Sequence, residues 1–129
     1  MPPCEIQRYQ DLNGYVPFDA CLATISSPGK TQHRIAAVRI AAALERLETN
    51  GHDLRRPTAA PLRDGVYELR VNVGNINYRA LYFFAGGGIA VMAHGCTKEC
   101  ALDEADVDRA VSRRLAYHAA PLAHSAPRP

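Results

Sequence analysis

The chain lacks tryptophan, and lysine occurs only as Lys30 and Lys98 among its 15 basic residues. No apolar run approaches the ~20 residues that a membrane-spanning helix needs. The first residues also lack the basic and then apolar regions of a signal peptide. We therefore expect a cytoplasmic protein with reduced thiols that does not contact a membrane.

Metal-binding and nucleotide-binding motifs are also missing. Of the four cysteines only Cys96 and Cys100 lie close together, whereas zinc sites show two tight pairs or one pair with spaced histidines. Cysteines that act as independent small hydrophobic residues are the alternative to a metal site. The five histidines do not recur at ligand spacing, and no phosphate-binding G-x-x-x-x-G-K-[ST] loop is present. We expect neither a metal nor a cofactor.

Apolar spacing predicts a helical hairpin in the first half of the chain. Residues 18–25 and 31–49 form the two helices, and the Ser26–Gly29 segment separates them. Asn50-Gly51 is a stop signal for the second helix. We expect its apolar stripe to face the core, with Ile35, Val38, Ala42 and residues 44–47.

A three-stranded meander follows the hairpin. The strands are Val66–Val73, Ile76–Phe84 and 89–96, and the turns between them are too short for crossovers, so the pairing is antiparallel. Residues 5–9 form a first strand, and residues 52–61 form a loop. Alternation places Tyr67, Leu69 and Val71 on one face and Val66, Glu68, Arg70 and Asn72 on the other. In the third strand, alternation places His94 on the face opposite Val91 and Ala93.

A last helix begins at Asp103 or Asp106 and runs to about His118, with acidic residues in its first turn. The segment 121–129 contains three prolines without amphipathic period, which predicts a disordered tail after a single domain of residues 1–120. The order of elements indicates an α+β, two-layer fold in which helices cover one face of an antiparallel sheet.

Two strand arginines are the strongest candidates for a site. Arg70 and Arg79 lie on neighbouring strands, and a guanidinium group offers forked donors that suit a phosphate. Whether they share a face depends on a register that the sequence leaves open. An ordinary surface ion pair, for example between Arg70 and Glu68, is the alternative.

The run Tyr67-Glu68-Leu69-Arg70, followed by Asn77-Tyr78-Arg79 and an aromatic strand, resembles the RelE/ParE superfamily of toxins. The likeness is closest to its phage-derived, HigB-type branch and covers roughly residues 14–118. It implies a RelE-like fold and the toxin of a type II toxin–antitoxin system. The implied activity is a metal-independent endoribonuclease, an mRNA interferase that acts on ribosome-bound mRNA. The implied partner is a cognate antitoxin with a helix-turn-helix fold.

The resemblance also implies an RNA-binding and catalytic site. Arg70, Arg79 and Lys98 hold the scissile phosphate, Tyr117 stacks on a base, and His118 protonates the leaving oxygen. Apart from the resemblance, His94 at a strand end is a minor catalytic candidate, and a structural role is the alternative. The chain departs from the family pattern because the loop at Lys98 has lost its other lysines. A solvated turn lysine and a frayed helix end are the alternatives for Lys98 and for the Tyr117-His118 pair.

Two other functions stay open. One is a ParE-like toxin that inhibits DNA gyrase, cleaves nothing and has no need of Tyr117 and His118. The other is an inactive, phage-derived binding module, which the loss of lysines around Lys98 favours.

Overall fold

The computed structural model describes residues 4–25, 31–98 and 103–127, without the side chains at 31–33 and 96–98. Its elements are β1 (Glu5–Arg8), α1 (Pro17–Ile25), α2 (Thr31–Asn50), β2 (Ala59–Pro61), β3 (Val66–Val73), β4 (Ile76–Phe84), β5 (Ile89–Lys98) and α3 (Glu104–Ala119). One turn of 3-10 helix, Gly51–Asp53, follows α2. Among the helices of the described ranges, none is long and apolar enough to span a bilayer.

The strands form one sheet in the order β1-β5-β4-β3-β2. The pairs β3–β4 and β4–β5 are antiparallel, which confirms the predicted meander and the α+β fold. β1 pairs with β5 in parallel, so the complete sheet is mixed. This parallel pairing is possible because the helical hairpin and three strands separate β1 from β5 in the chain. β2 is a short edge strand within the segment that the sequence predicted as a loop.

The α1–α2 hairpin packs on one face of the sheet. The residues of α2 that are buried there follow a spacing of four, three and four: Ala36, Ile40, Ala43 and Leu47. The predicted stripe is wrong for most of its length, because Ile35 is 41% exposed, Val38 is 71% exposed and Ala42 is exposed as well. The prediction is confirmed at Leu47, which is buried. Continued at helical spacing, that stripe reaches the charged residues Glu45 and Arg46. The stripe that begins at Ala36 stays apolar for the whole helix.

The third helix packs on the opposite face, so the prediction that all helices cover one face is wrong. Val107, Ala110 and Tyr117 of α3 belong to a cluster with Leu81 and Phe83 of β4. β4 is apolar on both sides, since its neighbouring residue Tyr82 packs toward the hairpin. A strand with two apolar faces must be covered on both of them.

A β-bulge between β4 and β5 changes which way one histidine points. Leu81 pairs with His94 and Tyr82 pairs with Met92, which leaves Ala93 without a partner in the ladder. The extra residue shifts the alternation. The His94 side chain therefore contacts α3, on the face of Val91 and Ala93, and the predicted opposite orientation is wrong.

The end of the chain packs against the end of β1. Tyr9 forms a bridge with Ser125, and the Tyr9 ring stacks on the His124 ring with centroids 5.0 Å apart. Ala126 is 4% exposed, and its N–H donates to the Arg8 carbonyl at 2.9 Å. Residues 121–127 thus differ from the predicted disordered tail. They gain order from strand-like pairing rather than from a periodic apolar face, and the division at residue 120 stays a prediction.

Candidate active site

The structure brings Arg70 and Arg79 together. The two residues are direct partners across β3 and β4. Directly paired residues point to the same face of a sheet, and so do residues two apart on one strand. Both arginines therefore lie on the face of α3, beside Glu68.

Glu68 joins the two arginines into one cluster. Its carboxylate Oε1 lies 3.3 Å from Arg70 Nε, and its Oε2 lies 3.6 Å from Arg79 Nε. The Arg70–Glu68 ion pair considered as an alternative is thus present. Two guanidinium groups against one carboxylate leave the cluster with one net positive charge. The Arg70 side chain is 31% exposed and the Arg79 side chain 11%, so Arg70 forms the open front of the cluster.

Lys98 is the last residue of β5. Its Cα lies opposite that of Asn77, and Cys96 lies opposite Arg79. The strand thus passes beside the arginine cluster before it ends. The Lys98 side chain lies outside the described residues, so its predicted role stays a prediction. Cys100 also lies outside the described residues.

Tyr117 and His118 lie in the last turn of α3, away from the arginines. Tyr117 is buried, and its ring centroid lies 5.5 Å from that of Phe83. His118 is exposed, with its ring centroid 5.7 Å from that of Phe83. Phe83 is four residues beyond Arg79 on β4, which is about 13 Å along a strand. The structure therefore places these two residues together but at the other end of the face.

A second polar network, centred on His94, was not predicted. His94 Nε2 lies 2.9 Å from Asp106 Oδ1, and Arg113 Nη1 lies 2.8 Å from His94 Nδ1. Arginine can only donate, so Nδ1 accepts that hydrogen bond and Nε2–H donates to Asp106. Burial lowers the pKa of His94, the hydrogen bond to Asp106 opposes this shift, and the nearby charge of Arg113 adds to the lowering. Both observations describe a neutral imidazole.

His94 is also nearer to the arginine cluster than His118 is. Because His94 pairs with Leu81 and Cys96 pairs with Arg79, His94 is the diagonal neighbour of Arg79. Such neighbours are about 7–8 Å apart. Asp106 and Arg113 stand 12 and 19 positions from His94 in the chain. No spacing pattern in the sequence indicates this network, because it depends on where α3 crosses the sheet.

Within the described ranges, no group of three or more His, Cys, Asp or Glu residues is placed to hold a metal ion. The polar groups in these two networks are instead mainly arginines, with the carboxylates of Glu68 and Asp106 among them. Such an arrangement suits the binding of an anion.

Most of the chain matches a known protein family. Residues 30–114 match the family model described as phage-derived protein Gp49-like (DUF891), which is about two thirds of the chain. The match includes Glu68, Arg70 and Arg79, and it ends before Tyr117 and His118. No curated protein matches the chain. The chain belongs to the Gp49-like, phage-derived family, which is a family of RelE/HigB-like toxins.

Proposed function

We propose that this protein is the toxin of a type II toxin–antitoxin system and that it cleaves ribosome-bound mRNA. The observation that carries the proposal is the directly opposed pair Arg70 and Arg79, held by one carboxylate, with the Arg70 side chain partly exposed to solvent. Membership of a RelE/HigB-like toxin family supports the same function. Its partners are a cognate helix-turn-helix antitoxin, the mRNA and the ribosome.

The proposed reaction is a transesterification within the RNA. The ribose 2′-hydroxyl loses its proton to a base and forms a bond to the adjacent phosphorus, while the bond from phosphorus to the 5′-oxygen breaks. Arg70 and Arg79, with Lys98, stabilise the negative charge on the phosphoryl oxygens. Glu68 acts as a positioning residue, because its two oxygens fix the orientation of both guanidinium groups.

In this proposal Tyr117 stacks on a base and His118 protonates the leaving 5′-oxygen. Their place at the far end of α3, about 13 Å along the sheet from Arg79, is the feature that fits the proposal least. The same feature favours a second candidate function. A ParE-like toxin that binds DNA gyrase without cleaving RNA needs no proton donor near the arginines.

Induced expression with substitution of the arginines tests the nuclease. Wild-type protein should arrest growth and deplete mRNA, and Arg79→Ala should relieve both effects. Loss of one charge-assisted contact to the transition state should cost about 2.7–4 kcal/mol. The cleavage rate should then fall roughly a hundred- to a thousandfold. The matched control is Arg34→Ala, which removes an exposed arginine of α2 and should keep full toxicity.

Two further variants separate chemistry from folding and from the rival function. Arg70→Ala tests the same contact at a more exposed position, in case the buried Arg79 is needed for folding. His118→Ala should slow cleavage comparably if His118 is the proton donor. A folded Arg79→Ala protein that cleaves mRNA at the wild-type rate would contradict the proposed role of Arg79 in binding the scissile phosphate. Growth arrest with inhibited supercoiling and intact mRNA would favour the gyrase inhibitor.

A further inference from the structure

A second cationic feature lies on the other side of Arg70. Beyond the first residue of β2, a groove of about 320 Å³ separates α2 from the outer edge of β3. The polar residues that line it are Arg39, Arg46, Thr58, Arg70 and Asn72. No acidic side chain of the described residues lines this groove. It is therefore a cationic channel along the edge of the sheet.

Two arginines of α2 are held over the groove by neutral oxygens. Arg39 Nη1 donates to the Asn72 carbonyl at 2.8 Å, and Arg46 Nη1 donates to Thr58 Oγ1 at 3.2 Å. Within the described part of the chain, neither arginine forms an ion pair. A guanidinium group carries five N–H donors, so each keeps its charge and most of its donors. Arg46 lies seven positions after Arg39, which is about 10.5 Å along a helix.

The groove is continuous with the candidate active site. Arg70 lines the groove and also contacts Glu68, which in turn contacts Arg79. A row of cations therefore runs from α2, around the open edge of β3, to the arginine cluster. An anion longer than a single phosphate can follow such a row.

We propose that this groove binds the sugar–phosphate backbone of single-stranded RNA beside the scissile phosphate, with Arg39 and Arg46 each contacting one phosphate. The inference rests on the proposed function, since it extends the substrate beyond the reacting group. Continuity with Arg70 favours RNA over an acidic protein partner. The apolar part of the lining is also small, consisting of Ala42, Ala43 and Val71.

The test measures RNA binding separately from cleavage. The probe is a fluorescent single-stranded RNA with 2′-O-methyl groups, which lacks the attacking hydroxyl and cannot be cut. Binding is followed by anisotropy over a series of salt concentrations. Replacement of both Arg39 and Arg46 by alanine should reduce the slope of log K against log salt by about 1.4, because each phosphate contact on a single strand contributes about 0.7. Affinity at low salt should fall roughly a hundredfold.

Two control variants and one substitute variant accompany this measurement. Arg34→Ala removes a charge from the same helix outside the groove and should leave the slope unchanged. Replacement of Arg39 and Arg46 by lysine keeps both charges and should retain the slope. If the double alanine variant does not fold, Arg46→Ala alone removes one bond to a hydroxyl and should lower the slope by about 0.7.

The outcomes distinguish this inference from the function on which it rests. If the folded double alanine variant has an unchanged salt slope while the wild type cleaves mRNA, the proposed RNA binding by the groove is wrong and the nuclease proposal stands. A wild type that neither binds the probe nor cleaves mRNA overturns the proposed function and the groove with it. If the double alanine variant binds RNA as the wild type does but no longer binds a poly-glutamate peptide, the groove binds an acidic protein partner and the proposed RNA binding is wrong.

Discussion

The face of the sheet on which α3 packs has two unlike ends built from the same strands. The apolar end comprises Val66, Phe83 and Tyr117, and the polar end comprises Glu68, Arg70 and Arg79. On β4 the change occurs within four residues, from Phe83 back to Arg79. Helix α3 covers the first end and leaves Arg70 accessible at the second.

The two ends differ in what they contribute to stability. Burial of apolar surface contributes about 25 cal/mol per Å², and Phe83 is fully buried. In a largely buried ion cluster, the cost of desolvation offsets most of the attraction between the charges. On this face of the sheet, the stability therefore comes from the apolar end. The polar end is therefore expected to contribute little to folding, as the proposed phosphate site requires.

The largest expected change in the free energy of unfolding comes from a substitution at the apolar end. Phe83→Ala should lower the free energy of unfolding by about 3–5 kcal/mol, because it leaves a cavity under α3. The matched change at the polar end, Arg70→Ala, should cost at most about 1 kcal/mol, since its ion pair is partly exposed. Urea denaturation of both variants measures the difference. Equal losses would show that the polar end is part of the structural core.

A second, smaller effect concerns the end of the chain, which supports the apolar end through Tyr9. Deletion of residues 125–129 removes the buried Ala126 and its hydrogen bond to Arg8. The free energy of unfolding should fall by about 1–3 kcal/mol. Leu122→Ala is the control, because that side chain is 93% exposed and its loss should change stability by less than about 0.5 kcal/mol. If the deletion leaves the free energy of unfolding unchanged in a denaturation experiment, the prediction of a disordered tail is correct after all.

The sequence predicted those parts of the fold that depend on local periodicity. The helical hairpin, the meander and α3 each carry apolar spacing or turn residues that specify them without reference to the rest of the chain. The two candidate arginines were identified because they lie on adjacent strands. Their direct pairing, however, depends on the register across β3 and β4, and the contact of Glu68 with both follows from that register.

The remaining features depend on contacts between distant segments. The bulge that turns His94 toward α3 comes from the pairing of β4 with β5. The order of residues 121–127 comes from pairing with Tyr9, more than 110 residues earlier. On α2, two overlapping apolar stripes compete, and only the packing of the sheet decides that Ile40 is buried and Val38 is not. Period and composition do not contain this information.

The smallest expected effect is a pH dependence of the free energy of unfolding that comes from His94. This residue lies between the apolar end and the polar end of the face, with its side chain against α3. Its ring faces Asp106, Arg109 and Arg113, and its pKa lies below the ordinary value of about 6.5 because of burial. On acidification the unfolded chain therefore takes up this proton first, so the free energy of unfolding should fall as the pH decreases below about 6.5 and level off below the folded pKa. Urea denaturation between pH 8 and pH 5 measures this loss. His94→Gln should flatten it. An identical pH dependence in His94→Gln and wild-type protein would mean that folding leaves the pKa of His94 unchanged. A wild type that gains stability relative to His94→Gln on acidification would mean that His94 carries its proton in the folded state, as an ion pair with Asp106.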